Sequence, residues 1–210
     1  MVDDLDPRGQ HQGWLRQDHH RTHLAAAFAA DGRRTALADA DRQRSSLAWA
    51  RLRPGTAAPI AALDWVDDLA APPRGTERLV IDGAAAMKKK HVFELVRLAD
   101  VIIVPVLPSA FDQSSTATFL DRLGELKSIR RNRKPVGILR NRVRPRTRAA
   151  ARLLRFLRRV EHEDLGGLPD RAVYNEVIAD GLSIFDLPGR RALALRADWT
   201  PLLAYVGDHG

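Results

Sequence analysis

Residues 12–20 are where this chain comes nearest to phosphate chemistry, although the residues as written do not perform it. Read one nucleotide later, the codons for Gln-Gly-Trp-Leu-Arg-Gln-Asp-His-His permit Lys-Gly-Gly-Cys-Gly-Lys-Thr-Thr-Ile. The shift forces Trp14 to glycine, Gln12 and Gln17 to lysine or arginine, and Asp18, His19 and His20 to threonine or isoleucine. A glycine-rich loop with a lysine at each end is built to bind phosphate. Consecutive backbone N–H groups and a helix N-terminus point at the anion, lysine neutralises it, and glycine lets the backbone approach without a Cβ in the way. As written, Trp14, Leu15 and Arg16 fill the glycine places and glutamine stands where the lysines belong. The segment is therefore expected to bind phosphate poorly or not at all.

The same shift turns residues 3–9 into a permitted run of Thr, Ile, Leu, Val and Ala, which suits a strand leading into such a loop. The frame returns near residues 21–23, because Leu-Ala-Ala-Ala-Phe-Ala-Ala-Asp-Gly from Leu24 onward is a natural helix continuation. An out-of-frame start and one lost nucleotide account for the whole segment. As written, Asp3, Asp4, Asp6, Pro7 and Arg8 cannot fill a buried central strand: proline lacks a ladder donor and unpaired buried carboxylates are costly. The first residues are expected to lie outside the sheet. Its flanking strands, residues 34–40 and 101–106 among the candidates, are then expected to have an unfilled neighbour.

Other residue sets invite chemistry. His19 and His23 stand one helical turn apart, a spacing that could hold a metal, but the frame argument outweighs that reading. Ser45, His20 and Asp18 form no nucleophile triad by any spacing argument. Asp39 lies near the end of an expected strand and Asp41 opens the polar loop after it, and taken alone they read as a polar turn; Asp82 ends another strand, as many aspartates do. Residues 127–160 hold fourteen Lys or Arg and no Asp or Glu, so the rest of the chain is net acidic although the whole carries +8. Arg148, Arg152, Arg155 and Arg159 recur at helical spacing as one stripe. A patch this one-sided fits a polyanion partner, and equally a solvated helix face.

The elements that must position these groups alternate along the chain. Helices are expected over residues 24–30, 47–53, 60–69, 92–98, 119–129 and 146–160, and strands over 34–40, 78–82, 101–106 and 136–139. The run Val-Ile-Ile-Val-Pro-Val is nearly all apolar, the mark of a strand covered on both faces in a parallel sheet. Strand–helix alternation implies an α/β fold with a doubly wound, mostly parallel sheet and helices on both faces. No internal repeat appears, and 210 residues suit one domain, residues 24–210, behind an aberrant segment 1–23. The absence of cysteine excludes disulfides, thiolate metal sites and iron–sulfur clusters. The longest apolar run, 101–108, is far too short to span a bilayer, and no signal peptide opens the chain, so a cytoplasmic location is expected.

Placed in this order, Asp39-Ala-Asp-Arg-Gln-Arg-Ser-Ser46, the strand-end Asp82, residues 99–112, Lys134-Pro-Val-Gly-Ile-Leu-Arg-Asn-Arg142 and Ile178-Ala-Asp-Gly-Leu-Ser-Ile-Phe185 resemble the ParA/MinD family of deviant Walker ATPases. The resemblance spans roughly residues 24–206, and the shifted-frame loop falls where that family has its phosphate loop. It implies a small ParA-like partitioning ATPase whose phosphate loop has been lost to the frame shift. By the same resemblance, Asp41 would orient the attacking water, Asp39 would lie close to Mg²⁺, Asp82 would bind Mg²⁺ through water, and Asn141 would hydrogen-bond the adenine edge of ATP. Asn141 fits a capping residue as well. Also implied are ATP-dependent homodimers, non-specific DNA binding, a ParB-like centromere-binding partner and nucleoid association; no membrane role is expected, because residues 192–206 lack the basic amphipathic face that anchoring needs. The sequence departs from the pattern at Arg42, where proline is usual, at residues 83–85, and at both loop lysines. A non-catalytic DNA- or protein-binding remnant of the same fold is the alternative.

Overall fold

The computed structural model describes residues 19–83, 87, 89–126, 129 and 134–210. The shifted-frame loop and the strand expected before it lie outside the described residues. Two compact units make up the chain: residues 1–84 with 172–192, and residues 85–171 with 193–210.

In the first unit, α1 (His20–Ala30), β1 (Thr35–Asp39), α2 (Ser45–Leu52), β2 (Ile60–Asp64) and β3 (Arg78–Asp82) follow one another, joined later by α6 (Ala172–Ala179). The sheet is wholly parallel, in the order β2-β1-β3, with Thr35 opposite both Ile60 and Arg78. All five residues of β1 are buried, because strands flank it on both sides and helices α1 and α2 pack on it. The core here is built from small side chains, Ala25, Ala26, Ala36 and Ala38, closed by Leu37 and Trp49.

The second unit contains α3 (Lys89–Leu98), β4 (Ile102–Val106), α4 (Ala110–Gly124), β5 (Val136–Val143), α5 (Arg148–Leu157), β6 (Glu163–Pro169) and α8 (Thr200–His209); α7 (Gly189–Ala197) precedes α8. Its sheet is also parallel, in the order β4-β5-β6. Val104, Val106, Leu120, Leu123, Ile138, Leu153 and Leu157 form one cluster from both strands and helices. Gly137 is needed for close approach: a Cβ there would lie 2.5 Å from the Leu165 side chain.

The α/β class, the parallel pairing and the flanking helices agree with expectation. Three local expectations do not. Residues 60–69 form no helix; Ile60–Asp64 is a strand laid against β1. Short apolar runs are ambiguous between the two states, and pairing with a fully buried neighbour decides this one. The helix expected over 119–129 is α4, which starts at Ala110, where Ser109 Oγ accepts the Asp112 N–H at 3.1 Å. That Ser-x-x-Asp start signal is present in the sequence. Finally, β1 has no unfilled side, whereas among the described residues β3 pairs only with β1 and β4 only with β5.

Helix α1 is fastened through histidine. His23 Nδ1 lies 2.9 Å from Ser183 Oγ and accepts the Ile184 N–H at 3.4 Å, which places the ring proton on Nε2 and keeps the imidazole neutral. Burial, with Arg21 and His19 beside it, pushes His20 well below the usual histidine range. Burial, with His19 and His20, does the same to His23. The unfolded chain therefore takes up protons near pH 6.5 that the folded chain refuses, so stability is full above that pH and falls as pH drops below it. Each histidine contributes up to ~1.4 kcal/mol per pH unit in that window. Thermal unfolding at pH 5 is expected well below that at pH 7.5, and His20→Gln with His23→Gln should flatten the difference. Equal melting temperatures in the parent protein at the two pH values would refute the assignment.

Candidate functional site

In the first unit, three parallel strands end side by side in carboxylates. Asp39 of β1 is the register partner of Asp64 on β2 and of Asp82 on β3. Carboxyl ends of parallel strands are where open α/β sheets bind ligands. Three adjacent negative charges repel, so each needs its own compensation, and each has a different one.

Asp39 is fully buried and accepts backbone N–H groups, from Asp41 on Oδ1 and from Leu47 on Oδ2, both at 3.0 Å. Leu47 lies in the first turn of α2, so Asp39 faces unpaired amides at a helix N-terminus. Burial pushes its carboxyl up, against the pull of those N–H groups, and the neighbouring Asp41 charge adds to the rise. Asp64 is held low chiefly by the hydrogen bond from Arg44 Nε at 2.9 Å. Asp82, also fully buried, accepts Ser46 Oγ on Oδ2 at 2.6 Å and pairs through Oδ1 with Arg21 Nη1. Asp41 stands further out. One of its carboxylate oxygens accepts the Gln43 N–H at 3.0 Å, and its carbonyl accepts the Arg44 N–H, closing a turn in which Arg44 is left-handed at φ 52°.

The Mg²⁺ implied by the resemblance can be tested against this arrangement. Magnesium demands a near-octahedral shell of oxygens and keeps several waters. At Asp82 one oxygen faces a serine hydroxyl and the other a guanidinium that is itself mostly buried. Among the described residues, the surroundings of Asp82 do not fit the ion. Sequence reasoning missed Asp64, Ser46 and Arg21. Ser46 lies inside a recognised motif and Asp64 inside a recognised apolar segment, while nothing local marks Arg21.

In the second unit, Asn141 is buried on β5 where the register against β6 slips between Arg140 and Val143. Arg142 is left-handed there, at φ 51°. Such bulges re-aim side chains. Arg142 and Arg144 donate to opposite oxygens of Asp170, at 3.0 and 2.8 Å. Burial would raise Asp170, but the two arginines outweigh it and hold the carboxyl below its usual range. Leu107, Pro108, Thr147 and Ala149 join these three residues around a cavity of about 290 Å³, near the lower end of the roughly 300–1,000 Å³ range of small-molecule sites.

Helix α5 carries the arginine stripe. Thr147 caps it, its Oγ1 accepting the Ala150 N–H at 3.1 Å, and Leu153 and Leu157 face the core. Arg148, Arg152, Arg155 and Arg159 are exposed, as is Arg158, and among the described residues none of the five is ion-paired. The structure thus groups Asp39 with Asp82 in one unit, and places Asn141 and the arginine row in the other. No helix among the described residues is long and apolar enough to cross a membrane.

Comparison with known proteins places this architecture. No protein-family model and no curated protein matches the sequence. Solved structures do match. One, described as a plasmid partition protein from Borrelia burgdorferi B31 bound to AMPPNP, aligns with a TM-score of 0.64 at 13% identity, over 91% of this chain and 96% of that one. The MinD cell division protein of Aquifex aeolicus aligns with a TM-score of 0.60 at 15% identity, over 90% and 94%. A further plasmid partition protein structure from Borrelia burgdorferi gives 0.57 at 13% identity, over 80% and 91%.

Proposed function

We propose, from the premise that this chain has a ParA/MinD-like fold, that it is a ParA-like partitioning ATPase scaffold. In this reading it binds duplex DNA without sequence preference, and as written it is impaired in ATP turnover. The observation that carries the DNA part is the row of five exposed arginines on and just beyond α5, without acidic partners among the described residues. Unpaired guanidinium groups along one helix neutralise backbone phosphates and release condensed counterions, a term that is independent of sequence and strongly salt-dependent.

Replacing Arg148, Arg152, Arg155 and Arg159 with alanine is expected to weaken binding to unrelated duplexes alike. The slope of log affinity against log salt should flatten by about 3–4, near 0.9 for each phosphate that is no longer neutralised. Fluorescence anisotropy across a salt series reads both quantities. Unchanged affinity would reduce the stripe to a solvated face.

Two features support a nucleotide-binding ancestry: the carboxylates aligned at the strand ends of the first unit, and the cavity lined by Arg142, Arg144 and Asp170 in the second. In the same reading Asp41 would orient water and Asn141 would meet the adenine, with a homodimer, a ParB-like partner and nucleoid association following. Turnover fails because Gln12 and Gln17 cannot supply the positive charge that phosphoryl transfer needs. Calorimetry on the chain as written is expected to detect no ATP binding in the micromolar range. Micromolar affinity would overturn the impairment and leave the DNA reading standing.

A further inference from the structure

Asp82 is a carboxylate almost wholly withdrawn from water. Its side chain is 1% exposed, at the end of a buried strand, beside the equally buried Asp39. A carboxylate in such a place requires a counter-charge, because desolvation without one costs several kcal/mol. Ser46 supplies one hydrogen bond, at 2.6 Å, but a hydroxyl brings no charge. Arg21 brings the charge. It sits in the first turn of α1, its side chain is only 13% exposed, and its Nη1 meets Asp82 Oδ1. Its Nη2 donates to the Gly83 carbonyl oxygen at 3.4 Å, the next residue along the chain. The guanidinium thus spans the strand end, ion-paired with the carboxylate and hydrogen-bonded to the carbonyl beside it, a reach that its extended planar group gives it.

We infer that Arg21 is the resident counter-ion of Asp82, standing in the place that the family resemblance gives to Mg²⁺ and making this carboxylate cluster independent of metal. The guanidinium on Oδ1 supplies the positive charge, and fills the space, that a hydrated divalent ion with its own waters would need there. The Asp39–Ser46–Asp82 end of the sheet is therefore held together by a side chain of α1. Helix α1 is tied to β3 by that pair and, through His23, to the loop at Ser183.

The inference concerns the first unit and goes beyond the DNA reading; none of its measurements involves DNA, so each can fail separately. The experiment is thermal unfolding of the full chain in EDTA and in excess MgCl₂, for the parent, Arg21→Ala, Asp82→Asn and the double variant. The parent should melt at the same temperature in both buffers. Arg21→Ala should lower the midpoint by on the order of 10 °C, since it takes the guanidinium away from a carboxylate almost wholly withdrawn from water. Adding Asp82→Asn to Arg21→Ala should restore at least about half of that loss, because the buried negative charge that Arg21 faces is gone. If Arg21→Ala does not fold, Arg21→Lys serves: it keeps the charge, loses the fork, and should melt a few degrees below the parent in both buffers. A parent midpoint that rises several degrees with Mg²⁺ would overturn the inference. So would an Arg21 variant as stable as the parent, or strictly additive losses in the double variant.

Discussion

Arg53→Ala is expected to destabilise the protein by about 3–5 kcal/mol, the range for breaking a buried ion pair by removing one partner. Arg53 and Asp186 are nearly inaccessible, at 6% and 7%, and meet through two parallel bonds of 2.8 and 2.9 Å. The guanidinium also donates through Nε to the Ala58 carbonyl at 2.9 Å and lies 5.2 Å from the centre of the Trp49 ring. Asp186 in turn accepts the Ser183 N–H at 2.8 Å, which organises the loop that receives His23. Truncation would leave that carboxylate buried beside an apolar void. A midpoint lower by roughly 10 °C follows for a chain of this size. Replacing both partners together, as Arg53→Met with Asp186→Leu, should lose less than Arg53→Ala alone, because no uncompensated charge remains. Denaturant melts of the three proteins decide the matter; a loss below about 1 kcal/mol for Arg53→Ala would refute the pair's importance.

Gly181→Ala should be worse than its small size suggests. Gly181 is left-handed at φ +69°, and a Cβ there would stand 2.3 Å from the Leu52 carbonyl carbon and 2.5 Å from Arg53 N. Both are backbone atoms, so no rotamer change relieves the clash. The chain must move at the C-terminus of α2, where Arg53 also bonds the Gly181 carbonyl. The left-handed conformation alone costs an alanine ~1–2 kcal/mol, and displacement of packed backbone adds to it, for a total of at least about 3 kcal/mol. Gly32 is the control. It is left-handed at φ +79° just past α1, but a Cβ there meets nothing within 4 Å. Gly32→Ala should cost only that conformational term, ~1–2 kcal/mol. Equal unfolding midpoints for the two variants would defeat the packing argument. Because Gly181 and Arg53 touch, combining their substitutions should give less than the sum of the single losses.

Much of this architecture is legible in the order of residue types. Arg78–Asp82 reads as a strand at its true bounds, and β1, β4, β5, α2, α3 and α5 within a few residues, because each is a short apolar segment bounded by strong punctuation. Ile60–Asp64 misleads because five residues of Ile-Ala-Ala-Leu-Asp carry no distinguishing period; only the neighbour β1, far off in sequence, makes them a strand. The start of α4 escapes notice although Ser109 and Asp112 announce it, since the apolar face becomes regular only later in the helix.

The candidate site divides along the same line. That Asp39, Asp41, Asp82 and Asn141 stand out follows from an ordered set of local motifs, and the arginine row on α5 follows from spacing of 3.6 residues per turn. These are local properties, and a sequence determines them by itself. What occupies each carboxylate does not follow from local order. Asp64 joins Asp39 and Asp82 only through strand register, and Arg21 reaches the distant Asp82 because α1 packs on β3. A buried charge must find its partner wherever the fold brings one, and that choice belongs to long-range packing, where desolvation makes the pairing obligatory.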